Sequence, residues 1–349
     1  METSNTIDMT EASGWFTFPA IRGVQAGREY YTAMVPFKQI PRIFVFNEYE
    51  VPPEMRAQRK LNKSRVPKIV NYVVQNIDDY VFSALTSSID GEMHFIPNEE
   101  GASIGNLKIS LNATLVINDG QHRRAAIEEV LKETPELAYE SIPVVFFVDL
   151  GLKKSQQMFA DLNKNAVRPS RSLSILYNIR DGSAQELMKM IQNVPIFKGR
   201  IELEKTSISK RSKNLFTLSS LYGSCKYTYQ EVQDEDELER RTKLLEEYFI
   251  ELTTVIKPWN DVYNDRLPTW QFREDYVCSH GVLLDAIGML GLHLFENHPT
   301  IWKEKLQGLR NMEWFRNQAW EGVAMQKGRM VKSNQNVKAS FEKLKQNLV

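Results

Sequence analysis

The segment from Ala113 to Val130, ATLVINDGQHRRAAIEEV, constrains the fold more than any other part of this sequence. Its β-branched apolar start, Thr114 to Ile117, predicts a buried strand. Asn118–Asp119–Gly120 has the composition of a tight turn, in which glycine supplies backbone angles that other residues avoid. Helical spacing begins at Gln121. The sequence therefore predicts a strand, a turn and a helix in direct succession.

The turn brings polar and cationic side chains to the start of that helix. The candidates for a phosphate or DNA site here are Asp119, Gly120, Gln121, His122, Arg123 and Arg124. A helix N-terminus has free N–H groups and a partial positive charge, and two guanidinium groups beside it favour binding of an anion such as phosphate. Strand–turn–helix segments are common, however, and two arginines after a turn can also form a solvated face. Spacing alone leaves both interpretations open.

The string Asp119–Arg123 reads DGQHR, and the flanking LVINDGQHRRAAIEE resembles the DGQHR-domain family, to which the DndB proteins of bacterial DNA phosphorothioate modification belong. The resemblance includes Phe18–Phe37 and Gln156–Ser172 and is strongest over the first half of the chain. A more distant similarity is to the ParB and sulfiredoxin superfamily, whose members place a comparable turn against nucleotide or nucleic-acid phosphates. The resemblance implies that the turn contacts the phosphates of DNA or of a nucleotide cofactor.

The family resemblance also adds a later asparagine-rich segment to the same site. The candidates from it are Asn163, Lys164, Asn165 and Arg168. Asparagine is an uncharged donor and acceptor that can read a base edge or hold a phosphate oxygen. The alternative is an asparagine-capped turn before a helix that starts near Ser170.

Charge is balanced over the whole chain, with 44 basic and 44 acidic side chains. Contact with nucleic acid would therefore depend on local patches. The first is Arg56–Arg65, which has five basic residues and no acid, and the second is Lys210–Lys213 in a polar loop. The third is the C-terminal region, with Lys327 and Arg329 in an exposed basic turn. Each patch could equally be a solvated loop or helix face.

Cysteine usage and hydropathy indicate a cytoplasmic protein with no membrane span and no metal site. Cys225 and Cys278 are the only cysteines, and neither belongs to a CxxC pair or a zinc-ligand cluster. Cys278 is predicted to be a buried thiol, whereas Cys225, beside Lys226, is the better candidate for a reactive thiolate. The polar start of the chain is not typical of a signal peptide, and Tyr276–Phe295 predicts a buried core helix.

The pattern of elements predicts an α+β fold: a ParB-like mixed-sheet domain over residues 1–195 and a mainly α-helical domain over residues 196–349. The predicted strands are Trp15–Val24, Tyr30–Val35, Ile43–Phe46, Phe82–Ile89 and Ile142–Val148, with a hairpin at Asp90–Gly91. The predicted helices are Val66–Asn76, Lys153–Leu162, Ala184–Gln192, Asp234–Val255, Asp275–Asn297, Thr300–Asn311 and Val337–Leu348. The tryptophans of the second half are predicted to pack between helices.

The resemblance and the basic patches together favour a DNA-binding repressor that acts on the promoter of a phosphorothioate-modification gene cluster. Its expected partners are that DNA, other DNA sulfur-modification proteins and a second copy of itself in a homodimer. The alternative is a ParB-like nucleotide hydrolase or nuclease, in which Asp119 or Glu128 would orient water or hold a metal. The chain has no Walker loop and no local paired carboxylates, so no catalytic residue is assigned. A scaffold that docks the modification enzymes is a third interpretation.

Overall fold

The computed structural model describes residues 14–44, 61–148, 169–232 and 234–349. The chain divides into two compact units, Met1–Val167 and Arg168–Val349, and each has a hydrophobic core of its own. This division lies earlier in the chain than the boundary at residue 195 that the sequence suggests. The reason is that the helix Gly182–Asn193 buries Leu187 and Met190 in the core of the second unit.

The first unit is built on a seven-stranded mixed sheet in the order β4-β5-β1-β2-β7-β3-β6. The strands are β1 (Trp15–Gln25), β2 (Arg28–Pro36), β3 (Leu85–Asp90), β4 (Met93–Pro97), β5 (Ile104–Ser110), β6 (Thr114–Asp119) and β7 (Ser141–Val148). β3 and β7 are parallel, and the other neighbours pair antiparallel. The predicted strands that correspond to β1, β2, β6 and β7 are confirmed.

Two predictions about this sheet are wrong. The apparent hairpin at Asp90–Gly91 does not form, because β7 and β6 occupy the two edges of β3, while β4 pairs with β5 at the far side of the sheet. The predicted strand Ile43–Phe46 also fails at its start, since Ile40–Ile43 is a short helix with a proline in its first turn.

In the described part of the first unit, three helices pack on the sheet. They are α1 (Ile40–Ile43), α2 (Val66–Gln75) and α3 (Gln121–Glu133), and α3 packs against both others. Val70 and Val73 of α2 and Ala126 and Ile127 of α3 are buried in the first core. The helix predicted at Lys153–Leu162 lies outside the described residues.

The second unit is mainly helical. Its helices are α4 (Arg171–Leu176), α5 (Gly182–Asn193), α6 (Leu218–Tyr229), α7 (Glu235–Val255), α8 (Lys257–Tyr263), α9 (Thr269–Asp275), α10 (Gly281–Asn297), α11 (Trp302–Leu306) and α12 (Asn334–Gln346). Two short strand pairs accompany them, β8 (Ile201–Glu202) with β9 (Phe216–Thr217) and β10 (Met325–Gln326) with β11 (Arg329–Met330). A mixed-sheet unit followed by a helical C-terminal part confirms the predicted fold class.

One long predicted helix is interrupted. The prediction runs from Asp275 to Asn297, but α9 ends at Asp275 and α10 starts at Gly281. Between them Tyr276 forms an antiparallel β-bridge with Phe315, and the N–H of Val277 donates to the carbonyl of Trp314 at 3.0 Å. This pairing with a distant segment prevents the helix from continuing.

The tryptophans of this unit mostly pack as predicted: Trp259, Trp302, Trp314 and Trp320 are buried, and Trp270 is 47% exposed. Among the described helices, none has the length and apolar character that a membrane crossing requires.

Candidate functional site

The DGQHR turn, Asp119–Arg123, joins β6 to α3 through Gly120. Gly120 has a left-handed backbone with φ of 101°. A Cβ atom added there would lie 2.3 Å from Leu85 Cδ2 and 3.1 Å from Arg123 Nη2. Backbone angle and space therefore both require glycine at this position.

Gly120→Ala is expected to lower the free energy of unfolding by about 1–3 kcal/mol through backbone strain, and further through overlap with Leu85. The measurement is the midpoint of urea denaturation. Gly101→Ala is the matched control, because Gly101 has φ of 78° with no atom within 4 Å of the added Cβ. Equal losses in both variants would contradict the steric part of the argument.

The side chain of Arg123 folds back onto the DGQHR turn and makes two polar contacts. Its Nη2 lies 2.6 Å from Asp119 Oδ2, and its Nη1 donates to the carbonyl of Ser83 at 3.1 Å. The Arg123 side chain is 17% exposed and that of Asp119 is 51% exposed. The Asp119–Arg123 pair thus links the last residue of β6 to the first turn of α3, and it also ties both to the segment that leads into β3.

Arg124 turns in the opposite direction, into the protein. Its Nε donates to the carbonyl of Phe44 at 3.1 Å, and its Nη1 lies 2.6 Å from Glu128 Oε2. The residue is only 9% exposed. The sequence groups Arg124 with Arg123 as an anion ligand, but in the structure its guanidinium anchors α3 to the residue that follows α1.

Arg124→Ala is expected to lower the free energy of unfolding by about 1.5–3 kcal/mol, because a hydrogen-bonded charge is lost and the Phe44 carbonyl is left without its donor. Thermal and urea denaturation measure this loss. The control is Lys132→Ala on the same helix, whose exposed pair with Glu129 contributes little. A variant that unfolds like the wild type but loses ligand binding would assign Arg124 to the site after all.

His122 connects the turn to the basic segment Arg56–Arg65. The N–H of Asn62 donates to His122 Nε2 at 3.2 Å, so this ring nitrogen acts as an acceptor. The Asn62 side chain in turn accepts from the N–H of Ser64 at 3.1 Å and caps the short 3-10 turn Lys63–Arg65, which leads into α2. The starts of α2 and α3 are thereby held next to each other.

Three exposed cations stand at the start of α2, and we call them the basic cluster: Lys63, Arg65 and Lys68. None has a carboxylate partner among the residues that the structure describes. The first turn of α2 contains no acidic residue. Cations at a helix N-terminus oppose the helix dipole, at a cost of roughly 0.3–1 kcal/mol each. An anion bound between these two helix starts would relieve that repulsion.

A family model described as DndB, DNA-sulfur modification-associated, matches residues 18–349. The chain belongs to the DndB family. The match covers nearly the whole chain, and membership implies involvement in DNA phosphorothioate modification systems. No curated protein and no solved structure gives a significant match.

In this DndB-family chain, several predicted site residues belong to the second unit or lie outside the described residues. Asn163, Lys164, Asn165 and Arg168 are outside the described residues, so their role stays a prediction. Lys327 and Arg329 belong to the second unit. They are exposed on the hairpin of β10 and β11, whose two-residue turn Lys327–Gly328 has φ of 49° and 73°.

Burial of both cysteines excludes the alternative of a reactive thiolate at Cys225. Cys225 and Cys278 are both fully buried, and burial raises the pKa of each thiol well above its ordinary value. Cys225 is therefore not the reactive thiolate that its neighbour Lys226 suggests, because desolvation dominates over one nearby cation. Within the described parts of the chain, no group of three His, Cys, Asp or Glu residues could hold a metal.

Sequence reasoning missed the groups that fix the orientation of the site. The Asn62 N–H and the carbonyls of Phe44 and Ser83 are backbone atoms, which any residue type would present. Lys68 was also missed, because it follows Pro67 inside an apolar helix pattern rather than in the basic run. The Asn62-x-Ser64 spacing is typical of a capped turn, and it could have predicted the turn that leads into α2.

Proposed function

We propose that this DndB-family chain is a DNA-binding repressor that acts on the promoter of its own phosphorothioate-modification gene cluster. The observation that supports this function best is the basic cluster beside the DGQHR turn: Lys63, Arg65 and Lys68 are exposed, without carboxylate partners among the described residues, and next to the start of α3. The family membership supplies the DNA-modification context.

The electrostatics favour contact with the DNA backbone at this place. The chain has equal numbers of basic and acidic residues, so a general attraction to DNA is weak and local clusters must provide it. Lysine and arginine side chains that meet phosphates release counterions and give salt-dependent affinity. The N–H groups at the start of a helix add donors of the kind that phosphate oxygens accept.

Sequence preference requires groups that reach base edges. Gln121 and His122 are half-buried on the first turn of α3. Within the described residues, the Gln121 amide nitrogen makes one long contact, of 3.4 Å, with the carbonyl of Ile117. An amide side chain of this type can pair with adenine in the major groove. In this proposal the basic cluster and Arg123 position the protein, and Gln121 contributes to the choice of site.

The repressor function predicts preferential binding to the DNA upstream of the gene cluster. The measurement is fluorescence anisotropy with that duplex and with a shuffled duplex of the same length and composition, at physiological salt. Specific DNA-binding proteins favour their site by about 10³-fold or more. Equal affinity for both duplexes would refute the repressor proposal.

The double variant Lys63→Gln/Arg65→Gln is expected to weaken binding to both duplexes and to reduce the slope of log Kd against log salt by about one unit per lost phosphate contact. Lys132→Gln is the control, because it removes an exposed charge at the other end of α3. An unchanged slope in the double variant would exclude the basic cluster from the DNA contact.

The hairpin of the second unit provides an independent test of the C-terminal patch. We expect Lys327→Gln/Arg329→Gln to reduce the salt slope without changing the ratio between promoter and shuffled DNA, because contacts with phosphate carry no sequence information. Lys338→Gln, at an exposed position of α12, is the matched control. A slope equal to that of the wild type would remove the hairpin from the proposed interface.

A further inference from the structure

The second unit contains a cavity of about 300 Å³ beside the first turn of α10. Its lining is rich in hydroxyl groups and has no acidic side chain. The polar residues that line it include Thr206, Thr217, Ser220, Arg273, Ser279 and His280. The volume is at the lower end of the range for small-molecule sites.

Arg273 gives the cavity a positive charge. Its guanidinium donates to the carbonyls of Asn214, Ser209 and Lys210 at 2.5, 3.2 and 2.9 Å. In the part of the chain that the structure describes it has no carboxylate partner. Burial lowers the pKa of Arg273, as expected for a cation that is desolvated without a counter-ion. A bound anion would supply the missing negative charge.

The start of α10 offers backbone donors to the same cavity. The N–H groups of Leu283 and Leu284 bond to the carbonyl of His280, at 3.0 and 3.1 Å. For the N–H groups of Gly281 and Val282, no acceptor is found among the described residues, and the His280 side chain does not cap the helix. These free donors lie where anions bind at helix N-termini.

The imidazole of His280 adds a further polar group without a partner. Its Nε2 is buried and makes no hydrogen bond with any described residue, although His280 lines the cavity. Burial, together with the nearby charge of Arg316, lowers the pKa of His280 to about 4. A buried ring nitrogen of this kind costs free energy unless a ligand or water satisfies it.

A second helix starts at the same end. A Cβ at Gly281 would lie 3.1 Å from Ser220 Oγ, and one at Gly288 would lie 2.0 Å from the carbonyl oxygen of Ser224. Ser220 precedes Ser224 on α6, and their neighbours Gly281 and Gly288 follow in the same order on α10. The two helices therefore run parallel, and the N-termini of both lie at the cavity. Two helix dipoles therefore direct their positive ends toward it.

Lys332 and Arg316 are two further cations near the start of α10. Lys332 Nζ lies 2.9 Å from Asp285 Oδ2, so the buried carboxylate of α10 is paired. Arg316 donates to the carbonyls of Glu274 and Gly328, at 2.8 and 3.4 Å. These contacts leave the guanidinium of Arg316 without a carboxylate among the described residues.

We propose that this cavity binds a phosphate-type oxyanion, either free or borne by a small molecule, with Arg273, the Gly281 N–H group and the hydroxyl of Ser220 as its ligands. Its concave shape suits a single phosphate group or a nucleotide rather than the side of a DNA duplex. The residues of this cavity belong to the second unit and the DGQHR turn belongs to the first, so the proposal does not depend on the repressor function.

Isothermal titration calorimetry of the full chain with inorganic phosphate, AMP and ATP, in a buffer free of phosphate and sulfate, tests the proposal. Binding with a Kd below about 1 mM is expected for at least one of the three. Tighter binding of a nucleotide than of phosphate would identify an organic phosphate as the ligand. Equal affinities would identify the free oxyanion. Absence of binding by all three would overturn the proposal.

Two variants localise the binding. Arg273→Gln removes the cation, and His280→Asp places a carboxylate at the N-cap of α10, where aspartate stabilises a helix while repelling an anion. Each is expected to weaken binding at least tenfold. The His280→Asp variant should unfold at a temperature no lower than the wild type, so a loss of binding in it cannot be ascribed to misfolding.

Controls separate this site from the DNA interface. Arg310→Gln removes an exposed arginine of the same unit and should change the Kd by less than twofold. Lys63→Gln/Arg65→Gln should also retain binding. If that double variant loses the anion while Arg273→Gln and His280→Asp retain it, the ligand sits at the DGQHR turn and the proposal is refuted.

Discussion

The close packing of Gly120 against Leu85 and Arg123 constrains the connection from β6 to α3, on which the DGQHR turn depends. β6 is an edge strand of the sheet, and the chain must leave it, reverse and start α3 directly over β3. Only a residue with a left-handed backbone and no Cβ fits in the 2.3 Å that separates the ideal Cβ position from the Leu85 side chain. The position of every side chain on the first turn of α3 follows from this contact.

Adjacent arginines on that turn have opposite roles because neighbouring residues on an α-helix point about 100° apart. Arg123 faces outward over the turn and pairs with Asp119, whereas Arg124 faces the core and bonds to the carbonyl of Phe44. The partner of Arg123 is the carboxylate of Asp119, which is half-exposed, and in the proposed DNA contact Arg123 exchanges this partner for a phosphate. The Arg124 guanidinium instead bonds to groups within the fold, the carbonyl of Phe44 and the carboxylate of Glu128. Removing it leaves the buried carbonyl of Phe44 without this donor.

Among the described residues, both units contain positive charge without a carboxylate partner, although the net charge of the chain is zero. In the first unit it lies at the start of α2, in Lys63, Arg65 and Lys68. In the second it lies around the start of α10, in Arg273 and Arg316. Both places combine cations with helix N-termini, an arrangement that costs stability in the free protein and favours anionic ligands. Part of the balancing negative charge lies on the helix α7, which has seven acidic and three basic residues over Glu235–Val255.

The sequence by itself determined the local elements and the presence of the DGQHR turn. The strand at Thr114, the glycine turn and the helix that follows are encoded by neighbouring residues, since β-branching, left-handed backbone angles and helical spacing act over a few positions. Tertiary structure alone decided which strands pair, because β3 finds its partners β6 and β7 far along the chain. It also decided that Arg124 and Cys225 are buried and that the helix predicted from Asp275 is interrupted. Burial and strand pairing depend on contacts between residues that are distant in sequence, so a local sequence pattern does not predict them.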